Sequence, residues 1–135
     1  MTVYELLKNE EEIEPKNIKP PLRIPKDIQI FEIEGPFFFG VSDLLNESYR
    51  QLQQKPRVFM IRMRTVPLVD SSGMWALKSF YDKCVDNHIQ LKITEVQTDV
   101  MRTLKKGGVI DYIGKNHFFH TFAEALHTSD AHFDE

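Results

Sequence analysis

The sequence contains only one cysteine, Cys84, so its 135 residues cannot form an internal disulfide bond. Cys84 lies on the apolar side of a helical pattern, which predicts a small buried hydrophobic residue in a reducing compartment. The sequence also lacks any run of about 18 apolar residues, the length that a membrane-spanning helix requires. Its start is too acidic for a secretory signal peptide. These absences predict a soluble intracellular segment.

A strong charge of either sign is absent too, because the net charge is −3 and the isoelectric point is near 6.0. Without a basic surface to attract phosphate groups, we expect no nucleic-acid partner. His117 and His120 are three residues apart, but no cysteine or carboxylate accompanies them at a recognised ligand spacing. We therefore expect no metal and no cofactor.

The hydrophobic content of 41% suits a single domain with a core of its own. Residues 1–25 differ from the rest because they are rich in glutamate and proline, and proline favours an extended chain over a packed helix. The sequence therefore predicts an acidic, proline-rich linker at 1–25, a domain at 26–128 and a flexible C-terminal tail at 129–135.

Within the domain, short apolar runs typical of strands alternate with patterns of helical periodicity. The alternation predicts an α/β fold with a mainly parallel or mixed sheet of four to five strands and about four helices. Strands are predicted at residues 28–34, 37–39, 58–63, 89–96 and 109–113. Helices are predicted at residues 41–52, 73–85, 98–107 and 121–126.

Capping residues set the predicted helix boundaries. Ser42 suits the N-cap of the first helix. Thr98 would open the third helix, and Gly107 would supply the left-handed residue that ends it. Thr121 and Glu124 have the spacing of a capping box at the start of the last helix.

The segment 68–77, Leu-Val-Asp-Ser-Ser-Gly-Met-Trp-Ala-Leu, joins a predicted strand to the second helix. Asp70, Ser71 or Ser72 could cap the free N–H groups of that helix. Gly73 would let the helix approach a neighbouring strand closely. Because partners meet α/β sheets at the carboxyl ends of strands, this turn is also a candidate contact site. The helix dipole would stabilise a phosphoryl group on Ser71 by about 0.3–1 kcal/mol, so the group would act mainly on a docked partner.

Two aromatic stretches leave alternatives open. Trp75 fits either an exposed interface anchor or a half-buried side chain, because it lies outside the apolar stripe of its helix. That stripe consists of Met74, Leu77, Tyr81 and Cys84. Residues 37–39 are consecutive phenylalanines, whose side chains would alternate between the two faces of a strand. At least one should belong to the core, while another could face the linker or a partner.

This turn and the order of the surrounding elements resemble the STAS family, named after sulfate transporters and anti-sigma factor antagonists, over residues 28–126. Family members share the strand and helix order described above and an Asp-Ser-Ser/Thr-Gly turn that opens a helix, matched here at 70–73. In the antagonist branch, a kinase partner phosphorylates the serine that follows the aspartate. The matching residue is Ser71, which the resemblance makes the candidate phosphorylation site.

Three stretches are similar to the transporter branch, the SulP-type anion permeases. The segment 32–40, EIEGPFFFG, resembles the permease segment in which an aromatic pair precedes a small residue and a helix. Met74 and Trp75 stand where antagonists usually continue with Gly-Leu-Gly. The segment 104–126 resembles the permease ending, including the glycine at Gly108.

The transporter resemblance implies a cytoplasmic regulatory and protein-interaction domain of a secondary anion transporter, which transports nothing by itself. Residues 1–25 would connect this domain to a transmembrane region at the cytoplasmic face of the inner membrane. The implied partners are that transmembrane region, a second copy of the domain, and a cytosolic regulatory protein or a nucleotide. Their expected contact site is the helix N-terminal turn, formed by Asp70, Ser71, Ser72, Gly73, Met74 and Trp75.

Two other functions stay open. A stand-alone anti-sigma factor antagonist would be switched by phosphorylation of Ser71. An enzyme, or a nucleotide-binding module that works alone, is the third reading, but a Ser71 nucleophile would need a base and no histidine adjoins the turn in sequence. The glycines of the segment 105–108, Lys-Lys-Gly-Gly, follow a predicted helix, whereas those of a phosphate-binding loop precede one. We therefore expect no enzymatic activity.

Overall fold

A parallel sheet forms the centre of the domain, as the alternation of strand and helix patterns predicts. A computed structural model describes residues 27–133 and contains four strands, which lie side by side in chain order with every neighbouring pair parallel. The strands are β1 (Ile28–Glu34), β2 (Val58–Thr65), β3 (Gln90–Thr94) and β4 (Phe118–Phe119). The helices are α1 (Phe39–Arg50), α2 (Ser71–Asp86), α3 (Thr98–Lys106), α4 (Val109–Ile113) and α5 (Phe122–Phe133). The α/β prediction is confirmed, and the predicted linker at 1–25 lies outside the described residues.

Strand β2 is buried on both faces, because helices lie on both sides of the sheet. On the first face, side chains of the strands pack with those of α1, α2 and α4, and the Phe59 ring meets the Phe80 ring edge-on at 4.8 Å. On the second face, Ile30 and Met60 pack beneath α5. The site described below lies at the carboxyl end of β1 and β2, beside the first face.

The predicted strand at residues 37–39 is wrong. Phe37 forms only an isolated bridge with Val69, and helix α1 already begins at Phe39. Gly35, with a φ of +86°, turns the chain sharply after β1, so the phenylalanines cannot continue as a ladder. The predicted N-cap at Ser42 is also wrong, because the helix begins three residues earlier and Phe38 occupies the N-cap position.

The predicted strand at residues 109–113 is a short helix, α4. Val109, Ile110 and Ile113 are buried, and this spacing matches one face of a helix. The edge strand is instead Phe118–Phe119, which a brief 3₁₀ turn at Lys115–His117 precedes. A short apolar run does not reveal its period, which explains the error.

Helix α3 begins at Thr98, as predicted, but its end and the bounds of β3 differ from the prediction. Gln97 is the N-cap of α3 and Thr98 its first residue, and the left-handed glycine is Gly108, at φ +80°, rather than Gly107. Strand β3 ends at Thr94, because Glu95 has a positive φ of 63°, which no continuing strand adopts.

Other local predictions are confirmed. The helix predicted at 41–52 is present as α1, and its residues Val41, Leu45 and Ser48 are buried on one face. At the start of α5, the Thr121 hydroxyl accepts a hydrogen bond from the backbone N–H of Glu124 at 3.0 Å. Helix α5 continues to Phe133, into the segment 129–135, whose flexibility stays a prediction.

Candidate functional site

Helix α2 begins in the turn that the sequence singles out, and Asp70 is its N-cap residue. The Asp70 carboxylate accepts a hydrogen bond from the Ser72 hydroxyl at 2.7 Å and another from the backbone N–H of Gly73 at 2.8 Å. These two bonds, in that order, lower the pKa of Asp70 below its usual 3.8. The carboxylate is therefore ionised at neutral pH and complements the positive end of the helix. Of the three predicted capping residues, Asp70 performs the role.

Gly73 allows α2 to approach the segment that follows β1, which confirms the prediction for this glycine. A Cβ atom added to Gly73 would lie 2.2 Å from the carbonyl oxygen of Phe37. Phe37 is held in place by a hydrogen bond from its N–H to the carbonyl of Leu68 at 3.0 Å. The turn therefore rests on backbone and not on mobile side chains.

The two serines of the turn differ in their surroundings. Ser72 is half-buried and donates its hydroxyl hydrogen bond to Asp70. Ser71 is exposed at the first position of α2, and within residues 27–133 its hydroxyl has no hydrogen-bond partner. Ser71 is thus accessible, whereas its phosphorylation stays a prediction.

Exposed apolar side chains lie around this turn. Trp75 is 60% exposed, the largest exposed fraction among the large hydrophobic residues that the structure describes. Phe38 and Leu68 are 43% and 47% exposed and belong to the two segments joined by the Phe37 bridge. We call Phe38, Leu68, Ser71 and Trp75 the turn patch. The sequence identified Ser71 and Trp75 as contact residues, but Leu68 was not predicted. Its position between Pro67 and the buried Val69 was the signal that could have indicated its exposure.

Met74 links the turn to α3. It is half-buried against the core, and its sulfur occupies the space beside Gly107, where a Cβ atom would overlap it. Packing therefore explains the position of Met74, which belongs to the predicted contact site, and only part of its surface remains accessible.

The arginines of β2 belong to ion pairs at the same end of the sheet. The buried Arg62 donates from Nε and Nη2 to both carboxylate oxygens of Glu95 at 2.7 and 2.8 Å. Burial alone would raise the pKa of Glu95, but the hydrogen bonds and charge of Arg62 lower it below its ordinary value. Arg64 likewise pairs with the buried Glu32 at 2.7 Å. These pairs tie β1, β2 and the end of β3 together.

Of the two histidines His117 and His120, the structure explains the position of His117. The Nδ1 atom of His117 lies 2.7 Å from the carbonyl oxygen of Leu91, and its ring meets the Tyr81 ring at 5.6 Å. In the described part of the chain, no three histidine, cysteine or carboxylate side chains converge as metal ligands. Over the same residues, no helix combines the length and apolar character needed to cross a bilayer.

Related proteins share both sequence and fold with this chain. It is 32% identical over 93 residues to the putative sulfate transporter YvdB of Bacillus subtilis (strain 168), an alignment that covers 68% of this chain and 18% of that protein. The crystal structure of a sulfate transporter family protein from Wolinella succinogenes superposes with a TM-score of 0.81 at 30% identity and covers 90% of this chain and 100% of its own. The STAS domain of a SulP transporter from Vibrio cholerae gives a TM-score of 0.73 at 22% identity, covering 83% and 88% of the two chains.

RsbS from Moorella thermoacetica has the same fold, with a TM-score of 0.67 over 85% of this chain and 97% of its own. Its identity of 12% makes this a likeness of fold alone. The family profile of the STAS domain matches residues 19–125. With that match, and with the parallel sheet and the Asp70-capped turn in place, the chain belongs to the STAS domain family.

Proposed function

We propose that this domain is the regulatory and protein-interaction domain of a secondary anion transporter of the sulfate-transporter type, and that it transports nothing by itself. The exposure of Trp75 beside a rigid, capped turn carries the proposal. Sequence similarity supports it, because the chain spans only 18% of a relative named as a putative sulfate transporter. In such an arrangement the pore belongs to the remaining part of the protein.

The turn patch has the physical character of a contact surface. Aromatic residues that enter a partner's pocket often contribute at least about 2 kcal/mol to binding, a factor of roughly 30 in affinity. The backbone contact of Gly73 with Phe37 holds the patch in place before a partner arrives. A preorganised surface loses little conformational freedom on binding, so more of the contact energy appears as affinity.

The proposed partner is the transmembrane region of the same transporter, which would place the domain at the cytoplasmic face of the membrane. A second copy of the domain is the alternative occupant of the patch, and a cytosolic regulatory protein is another. The complete reading frame that contains this chain provides the first test. The proposal requires several membrane-spanning helices encoded upstream of the domain.

A binding measurement tests the contact itself. The transmembrane region, in lipid nanodiscs, is immobilised and the wild-type chain is compared with Trp75→Ala and with Val85→Ala. Val85 is a matched control because it is 50% exposed on the same helix but lies outside the turn patch. We expect Trp75→Ala to bind at least about tenfold more weakly and Val85→Ala to bind as wild type does. Equal binding by both variants, with unchanged circular dichroism, would contradict the proposal.

A stand-alone anti-sigma factor antagonist is the second candidate, and the exposed Ser71 directly after the N-cap favours it. The chain is incubated with ATP and a serine kinase of the anti-sigma class, and its mass is then measured. A switch of this kind predicts one added phosphoryl group, which Ser71→Ala abolishes and Ser72→Ala retains. An unmodified chain that forms no complex with the kinase would eliminate this candidate.

A further inference from the structure

A groove separate from the turn patch lies between α3, α4 and β4. Its volume is about 550 Å³, and all of its lining residues fall between Val96 and His120. Pockets for small organic ligands commonly measure about 300–1,000 Å³. The groove therefore has room for one small molecule, at the edge of the sheet formed by β4.

The floor of the groove is apolar. Val96, Met101 and Phe118 line it, and each is only partly buried against the core, so part of their apolar surface faces the groove. Water against such surface is released when an apolar group covers it. An inorganic anion would gain nothing from these side chains, because its charge favours water over hydrocarbon.

The rim of the groove is cationic. Arg102, Lys105 and Lys115 line it together with the exposed His120. The side chains of Lys105 and Lys115 form no hydrogen bond or ion pair with any residue that the structure describes. Considering residues 27–133 alone, no acidic side chain lines the groove. A positive rim of this kind stands out in a chain whose net charge is −3.

Arg102 is available to a ligand despite its ion pair. Its Nη1 atom donates to Asp99 at 2.7 Å, but the two side chains are 64% and 84% exposed. Exposed pairs of this kind are typically worth about 0–1 kcal/mol, so an anion in the groove could replace Asp99.

A buried cation lies behind one wall of the groove. Phe119 lines the groove, and the Lys92 ammonium lies 4.4 Å from the centre of the Phe119 ring. Lys92 is fully buried, and its Nζ atom has no hydrogen-bond partner among residues 27–133. Its charge adds to the positive potential inside the groove, where the surrounding protein screens it less than water would.

We propose that this groove binds an organic anion with an apolar or aromatic body. The body would cover Met101 and Phe118, and the carboxylate or phosphate would meet Lys105 and Lys115. A nucleoside monophosphate and a medium-chain fatty acid share this chemistry. The site would give the domain a small-molecule effector, which is independent of the contact proposed for the turn patch.

Calorimetric titration of the full chain tests the proposal with four probes: AMP, octanoate, inorganic sulfate and octanol. We expect AMP or octanoate to bind, with an affinity that falls as salt is added, because exposed charges are screened. Which of the two binds identifies the source of the anion. Sulfate has the negative charge but no apolar body, and octanol has the apolar body but no charge. Each should therefore bind at least about tenfold more weakly than the organic anion.

Charge-reversal variants locate the bound anion. We expect Lys105→Glu to weaken binding by about tenfold or more, because a charge-assisted hydrogen bond is replaced by repulsion. Lys106→Glu is the matched control, since Lys106 is exposed, adjacent and outside the groove. Lys115→Glu provides a second variant on another element, and thermal unfolding verifies that each variant folds.

Three results would overturn the proposal. The first is the absence of measurable heat with both AMP and octanoate at millimolar concentration. The second is equal affinity of Lys105→Glu and Lys106→Glu for the bound probe. The third is sulfate binding as tight as that of the organic anions, which would mean that the apolar floor makes no contribution. Met101→Gln tests that floor directly, and it should weaken binding of the organic probe alone.

Discussion

Replacing Gly73 with alanine should destabilise the domain through one backbone contact. The new methyl group would lie 2.2 Å from the Phe37 carbonyl oxygen and 3.1 Å from both the Phe37 carbonyl carbon and its ring. Phe37 cannot withdraw freely, because its N–H donates to Leu68 and its ring is fully buried. Helix α2 and the segment after β1 would therefore have to separate by about 1 Å to restore van der Waals distance.

The expected loss of stability follows from two opposing effects. Overpacking typically costs about 1–3 kcal/mol, and a clash with fixed backbone belongs at the upper end of that range. Alanine returns up to about 1 kcal/mol through its better helix propensity. The net loss is about 2 kcal/mol. For 135 residues at about 2.1 cal/mol/K each, this corresponds to a fall of about 7 °C in the melting temperature.

Gly40→Ala is the matched control, because Gly40 lies in the first turn of α1 and, its own helix and chain neighbours aside, no atom of the described residues would come within 4 Å of its added Cβ. Urea unfolding followed by circular dichroism should show Gly40→Ala at least as stable as wild type. The reasoning is refuted if Gly73→Ala unfolds at the same urea concentration as wild type and Gly40→Ala. That result would mean that α2 does not rest against the Phe37 backbone.

Three further predictions concern titratable groups. Burial lowers the pKa of Lys92 from 10.5 to about 8, so the folded state binds the Lys92 proton less tightly than the unfolded state does. The stability of the wild type should therefore rise as the pH increases from about 8 to 10.5. Lys92→Met should lack this rise and should be more stable at pH 7 by about 2 kcal/mol in urea unfolding, allowing for solvent screening; a variant less stable than wild type would contradict this. Burial raises the pKa of Cys84 from 9.0 to about 12. A thiol reagent should therefore label the native protein at least about a thousandfold more slowly than the urea-unfolded chain. Equal labelling rates would show that the thiol is accessible in the native protein. The lowered pKa of Asp70 predicts that the wild type is more stable than Asp70→Asn above pH 3.8 and loses this advantage as the pH falls through the folded-state pKa. If the melting temperatures of the two proteins differ equally at all pH values, the Asp70 charge does not stabilise the helix.

Local sequence patterns were sufficient to predict the elements whose structure depends on neighbouring residues. Helix α2 repeats an apolar stripe over 16 residues, and Asp70 caps the N–H group three residues ahead of it, so both can be read from neighbouring residues. The glycine requirement at position 73 was also predictable, because a helix start beside a strand often needs a residue without Cβ. The atom that would clash, the Phe37 carbonyl oxygen, was not.

Short apolar segments were the places where local patterns failed. The five residues of α4 fit a strand as well as a helix when read alone, and burial against α2 and α3 selected the helix. Phe118 and Phe119 form β4 only because β3 offers its free edge at Ile93 and Thr94. In both cases one deciding element, α2 for α4 and β3 for β4, lies well removed in sequence, so tertiary contacts overrode local preference.

The sequence by itself determined the α/β class, the family resemblance and the turn that begins at Asp70, because each depends on periodicity or on hydrogen bonds among adjacent residues. Only the tertiary structure decided which side chains share a surface. It joined Arg62 to Glu95 across 33 positions, and through the bridge between Phe37 and Val69 it brought together the segments that carry Phe38 and Leu68. It also assembled the groove from residues of α3, α4 and β4 and of the segments that join them. The physical reason is that strand pairing and helix packing fix distances between remote residues, and no local pattern contains that information.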